Sequence, residues 1–172
     1  MIIETPRLRL VPLTLPYVSS TPDDRLTLAR ECGATVPGSW PPELWDQDAQ
    51  DWTRRMLEQD AATDWIPRCI VLRGAEPVAC GVVGMAAPDD NGQVLIGYGV
   101  LPEFRRRGYA AEALGGIVRW ALEDPRVTAI FGDTYPELIG SIRTMERNGF
   151  RLIGPGQEER TIRYQLTRSA AG

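Results

Sequence analysis

At 172 residues, with a formal charge of −4 and a pI near 5.0, the chain reads as one domain, 1–172, able to bury about two-thirds of its unfolded surface. The acidic balance argues against a nucleic-acid surface, and no apolar run approaches the ~20 residues of a bilayer span, so a cytoplasmic, non-membrane protein is expected. Histidine is absent, which excludes Ser-His-Asp and Cys-His hydrolase chemistry, and Cys32, Cys69 and Cys80, without C-x-x-C spacing, read as buried free thiols and no metal site.

In chain order, Thr5 to Leu13 alternates polar and apolar residues and reads as an opening strand. Asp23-Asp24 then open a short helix carrying Leu26, Leu28, Ala29 and Cys32, and Gly33 to Pro42 reads as a loop. Asp46 or Asp48 caps a second helix with Trp52, Met56 and Leu57 at helical spacing. Ile66 to Arg73 and Pro77 to Ala87 read as antiparallel strands around Gly74-Ala75-Glu76, and Asp89-Asp90-Asn91-Gly92 turns the chain into a strand over Gln93 to Val100. Gly97 and Gly99 within that strand imply a bulge or a close backbone approach.

A helix follows from Ala111 to Glu123, with Leu114, Ile117, Val118 and Ala121 on one face, and Asp124-Pro125 ends it. Ala129 to Tyr135 is the next strand, and Leu138 to Asn148 is a helix stopped by Gly149. Arg151 to Ile153 and Thr161 to Leu166 form a closing pair around Gly154-Pro155-Gly156, and Ser169 to Gly172 are expected to fray.

Arg105-Arg106-Arg107-Gly108-Tyr109-Ala110 carries the most chemical information. A glycine turn that opens a helix presents backbone N–H groups without intrahelical partners, at the positive end of the helix dipole. Arginines ahead of it add charge-assisted bonds to the same anion. The alternative is a solvated arginine run before an ordinary turn.

Arg105-x-x-Gly108-x-Ala110 resembles the Q/R-x-x-G-x-G/A acyl-CoA loop of the GCN5-related N-acetyltransferases (GNAT). Gly97 to Phe104 resembles the strand entering that loop, and Ser141 to Phe150 is similar to the S-x-R-x-x-E-K-x-G-F helix ending. Glu4 to Leu10 resembles the opening strand of the branch that acetylates ribosomal-protein N-termini.

The resemblance implies an α/β fold: a mixed, twisted sheet of six or seven strands with helices on both faces. A V-shaped cleft between strands 93–100 and 129–135 would take acetyl-CoA as co-substrate. Val100, Leu101, Arg105, Arg106, Arg107, Gly108, Tyr109 and Ala110 would line it, with the Val100 N–H aimed at the thioester oxygen. The implied reaction is direct acetyl transfer to a primary amine, a protein N-terminus or a small amine, in a ternary complex. A homodimer is expected from relatives only.

The pattern also departs from the family. Leu95 stands where many relatives place a glutamate base, Leu138 an asparagine and Met145 the tyrosine acid. Ser141 and Asp133 are left as catalytic candidates, against a helix serine bonding back to a carbonyl and a solvated strand end. Tyr98 reads as packing, and Glu103 stands near the cleft. Trp40, Glu43 and Tyr135 are the acceptor-side candidates, although Trp40 and Trp45 would equally staple the helical layer to the core. The three apolar replacements motivate an alternative, a non-catalytic acyl-CoA-binding module.

Overall fold

The computed structural model describes residues 1–21, 24–43, 45–60 and 63–168. Asp23 and the C-terminal residues 169–172, on which sequence expectations fall, lie outside these.

The elements are β1 (Ile3–Glu4), β2 (Leu8–Pro12), α1 (Leu15–Val18), α2 (Arg25–Cys32), α3 (Gln47–Gln59), β3 (Arg68–Leu72), β4 (Val78–Met85) and β5 (Gln93–Val100). A short 3-10 turn (Pro102–Phe104) leads to α4 (Tyr109–Glu123), β6 (Ala129–Thr134), α5 (Ile139–Arg147), β7 (Arg151–Pro155) and β8 (Ile162–Thr167). The sheet has eight strands in the order β1-β2-β3-β4-β5-β6-β8-β7, antiparallel except for the parallel β5–β6 pair. The expected six or seven grew by one because the opening segment folds back: Ile3 pairs with Leu10 and Glu4 with Arg9 across the Thr5-Pro6-Arg7 turn.

Period-two alternation divides the core between the two faces. Leu8, Leu10, Ile70, Val83, Ile96 and Val100 pack with Leu114, Ile117 and Val118 of α4. Val11, Cys69, Val71 and Val82 pack with Tyr17, Leu28, Trp40 and Trp45 under α1 to α3. The three thiols are buried and free. Asp24 and Asp46 cap α2 and α3, their carboxylates accepting from Thr27 N–H at 3.0 Å and Ala49 N–H at 2.9 Å. Gly149, at φ +82°, follows the end of α5 in the left-handed region that favours glycine.

Two expectations are corrected. Gly97 and Gly99 form no bulge, since β4 and β5 pair in unbroken register from Gly81↔Val100 to Met85↔Ile96. The close approach is real and is met from the neighbouring strand, where a Cβ on Gly81 would stand 2.3 Å from the Gly99 carbonyl oxygen. The closing pair does not turn at Gly154-Pro155-Gly156 either: β7 runs through Pro155, and its register shift lies between Leu152 and Gly154.

Candidate active site

The cleft arises where a strand pair stops. Parallel pairing of β5 with β6 ends at Ile96↔Gly132. Beyond it β5 stays paired to β4 as far as Val100, and β6 to β8 as far as Thr134. The two strands therefore part, each held by its outer neighbour. Leu101 N–H donates to the Cys80 carbonyl at 2.9 Å, so antiparallel alternation turns the N–H groups of Tyr98 and Val100 away from β4 and toward the cleft.

The 105–110 loop closes one end. Gly108 caps α4 at φ +80°, ψ 6°, and Arg106 sits at φ +59°. Among the described residues no acceptor meets the backbone N–H of Arg106, Arg107, Gly108, Tyr109, Ala110 or Ala111. These donors lie beside Arg106 and Arg107, which are exposed and without a carboxylate partner among the described residues. Arg105 is engaged differently: its Nε donates to the Val100 carbonyl at 3.0 Å and its guanidinium lies 3.5 Å from Glu43. Leu101 is fully buried, with its N–H bound to Cys80 and its carbonyl accepting from Phe104 N–H, so it positions the loop and offers a ligand no free group.

The loop is held from the far end of the chain. Arg7 Nε donates to Glu112 Oε2 at 2.6 Å and its N–H to Oε1 at 2.8 Å. Its Nη1 donates to the Arg107 carbonyl at 3.1 Å, and the guanidinium lies 4.8 Å from the Tyr109 ring centroid. Thr5 Oγ1 donates to Glu112 at 2.6 Å. Partial burial alone would raise the Glu112 carboxyl, but the bonds from Thr5 and Arg7 prevail and hold it below its ordinary value. Of the residues in these contacts, Arg107 and Tyr109 were expected at the site from sequence, and Thr5, Arg7 and Glu112 were not.

Across the cleft, the Tyr98 hydroxyl lies 3.1 Å from both Ser141 Oγ and the Ser141 carbonyl oxygen. Burial pushes Tyr98 up to about 12, with the Ser141 contact pulling the other way, so the phenol stays protonated at neutral pH. Ser141 thus faces β5; in the same helix it is Thr144 that bonds back, to the Gly140 carbonyl at 2.8 Å.

Asp133 is not a free base. Its carboxylate is held by Arg163 Nε at 2.8 Å and Nη2 at 2.7 Å and accepts from Gln157 N–H at 3.1 Å. The Arg163 bond is the main reason its carboxyl lies below the ordinary range. Glu103 accepts from Ser39 Oγ, which holds it down as well. Met145 is buried, its sulfur 2.8 Å from where a Gly132 Cβ would lie, whereas Leu138 is half exposed at the head of α5.

The opposite face of β5 borders a cavity of about 370 Å³. Trp45, Ala49, Trp52 and Thr53 line it from above, Val82, Met85 and Pro67 from the side, and Leu95, Gly97 and Gly99 from the strand. The acceptor-side candidates fare poorly. Trp40 is buried, its indole N–H donating to Tyr17 Oη at 2.9 Å alongside Trp45 at 3.0 Å, so it staples the helical layer. Glu43 faces Arg105, and Tyr135 stands exposed at the end of β6, outside the cavity lining. Trp52, 40% exposed, is the aromatic wall that sequence reasoning missed. Its signal was the stripe Trp45, Ala49, Trp52, Thr53 at helical spacing.

The comparisons agree with this geometry. The family model for the acetyltransferase (GNAT) domain matches residues 7–151. YjdG of Bacillus subtilis, an uncharacterised N-acetyltransferase, is 28% identical over 153 residues, covering 88% of this chain and 90% of its own. The ribosomal-protein-S5-alanine acetyltransferase of Vibrio fischeri shares the fold at a TM-score of 0.71 and 12% identity, over 100% of this chain and 99% of that one. A GNAT-family acetyltransferase of Bacillus anthracis does so at 0.67 and 16%, over 98% and 99%. With a family match over most of its length and the parted strands and glycine loop in their expected places, this chain belongs to the GNAT acetyltransferase family.

Proposed function

We propose that the chain moves the acetyl group of acetyl-CoA to a primary amine by direct attack within a ternary complex. The observation that carries this reading is the parting of β5 and β6 beyond Ile96↔Gly132, flanked by unpaired main-chain donors and by the apolar cavity. The free edge at Tyr98 and Val100 suits the amide-bearing pantetheine arm as an added strand. Residues 106–111 and the cations of Arg106 and Arg107 suit its pyrophosphate. The Val100 N–H is the donor for the thioester oxygen as charge develops there.

Acyl transfer also needs a neutral amine and a proton for the departing thiolate. Ser141 supplies that proton, with the protonated Tyr98 hydroxyl behind it at 3.1 Å. With Leu95 at the glutamate position and Asp133 bound to Arg163, the amine loses its proton to solvent. The rate therefore rises with pH toward the acceptor's own pKa, and two amines of different basicity give two different profiles.

Calorimetric titration with acetyl-CoA, followed by a thiol-release assay over an amine panel, tests the reading. Stoichiometric micromolar binding, about −8 kcal/mol, with turnover is the expected result. Binding without turnover of any amine would make the chain an acyl-CoA-binding module, and no binding would remove the loop assignment.

A further inference from the structure

We infer that the acceptor is a primary amine borne on a flat, uncharged apolar group, an arylalkylamine or a peptide whose first residue has such a side chain, and that Trp52 selects it. This rests on the acetyl-transfer reading above and goes beyond it. The cavity against the open stretch of β5 contains no ionisable carboxylate or ammonium among its described lining residues; its walls are Trp45, Trp52, Pro42, Pro67, Met85 and Leu95. Its two hydroxyls are engaged, Thr53 Oγ1 donating to the Ala49 carbonyl at 2.8 Å and Tyr98 held to Ser141 at 3.1 Å.

The two carboxylate candidates for the site are committed elsewhere, Glu43 facing Arg105 at 3.5 Å and Asp133 gripped by Arg163 at 2.7 Å. A second ammonium would therefore enter without a counter-charge, which burial penalises heavily. A volume of about 370 Å³ sits low in the range of about 300–1,000 Å³ for ligand sites. It fits one ring system better than a multi-ring aminosugar. Where the amine must reach the strand, Gly97 leaves the approach clear, since a Cβ there would meet nothing within 4 Å. Trp52 supplies an aromatic face that an apolar group would cover.

The test is a thiol-release panel of phenethylamine, tryptamine, spermidine, an aminoglycoside, and two peptides beginning with phenylalanine and with serine. The aromatic amines or the phenylalanine peptide should exceed the others in kcat/KM by at least about tenfold, and the better of the two identifies the source. Trp52→Ala should raise KM for the aromatic acceptor about tenfold with kcat within about twofold, and Trp52→Phe should recover most of the loss. Equal or better use of spermidine, the aminoglycoside or the serine peptide overturns the inference, as does an unchanged KM in Trp52→Ala. Acetyl-CoA titration of both proteins separates the two levels. Binding with turnover of other amines and none of the aromatic ones sinks the acceptor class alone, whereas binding without turnover of any amine, or absent binding, sinks the acetyl-transfer reading with it.

Discussion

On the side proposed for acetyl-CoA the cleft offers main chain: N–H groups of residues 106–111 and the free edge at Tyr98 and Val100, with the loop held by the Arg7–Glu112–Thr5 clamp. On the side proposed for the acceptor it offers side chains, chiefly Trp52, Trp45, Met85 and Leu95. Main-chain donors bind any group of the right shape and charge, so that half depends on backbone angles and on what holds them. The side-chain half depends on which residues happen to line it, so it is free to vary without disturbing the other. In the proposed reading, anchoring belongs to the first half and selection to the second.

The sharpest way to break this division is Gly108→Trp. The left-handed φ at 108 and the bulk over the donors should together cost at least about a hundredfold in acetyl-CoA affinity, read by calorimetry, with the circular dichroism of the fold retained. Retained affinity would mean the anchoring half lies elsewhere.

Ser141→Ala should lower kcat about a hundredfold while leaving the acetyl-CoA Kd within about twofold. An unaltered rate would return the hydroxyl to a packing role. A smaller effect is expected from Arg7→Ala, which frees Glu112 and the Arg107 carbonyl. It should weaken acetyl-CoA binding about tenfold, with roughly 1 kcal/mol lost in denaturant unfolding after allowance for the half-exposed arginine. Equal affinity in this variant would show that the clamp does not support the donors.

Asp133→Asn is the mildest. Because Arg163 holds the folded carboxyl below its unfolded value, the ionised pair stabilises the fold above the unfolded pKa, and that stability is lost as pH falls through the folded one. The variant should flatten the acid limb of stability against pH and keep turnover within about twofold. A collapse of turnover would instead restore Asp133 as the base.

The same division explains what could be read from sequence. Arg105 to Ala110 is contiguous, and a strand, a glycine turn and a helix start specify its geometry locally, so the loop was legible. The parted strands were legible as a family resemblance, although no bulge forms and the close approach is that of Gly81 to the Gly99 carbonyl, with open space over Gly97. The cavity against β5 was not legible, because Pro42, Trp52, Met85 and Leu95 come from four separate segments. Periodicity places Trp52 on a helix face without saying whether that face meets core or cavity. Sequence could not decide between wall and staple for Trp40, because its partner Tyr17 sits on a four-residue helix too short to show periodicity. The clamp joins residues 105 positions apart, and no local pattern announces it.

The most direct test of the central claim is amide hydrogen exchange with and without saturating acetyl-CoA. Protection gained at Tyr98, Val100 and 106–111, with β7 and β8 unchanged, is the predicted result. Saturable binding that leaves those amides exchanging at their free rates would contradict it.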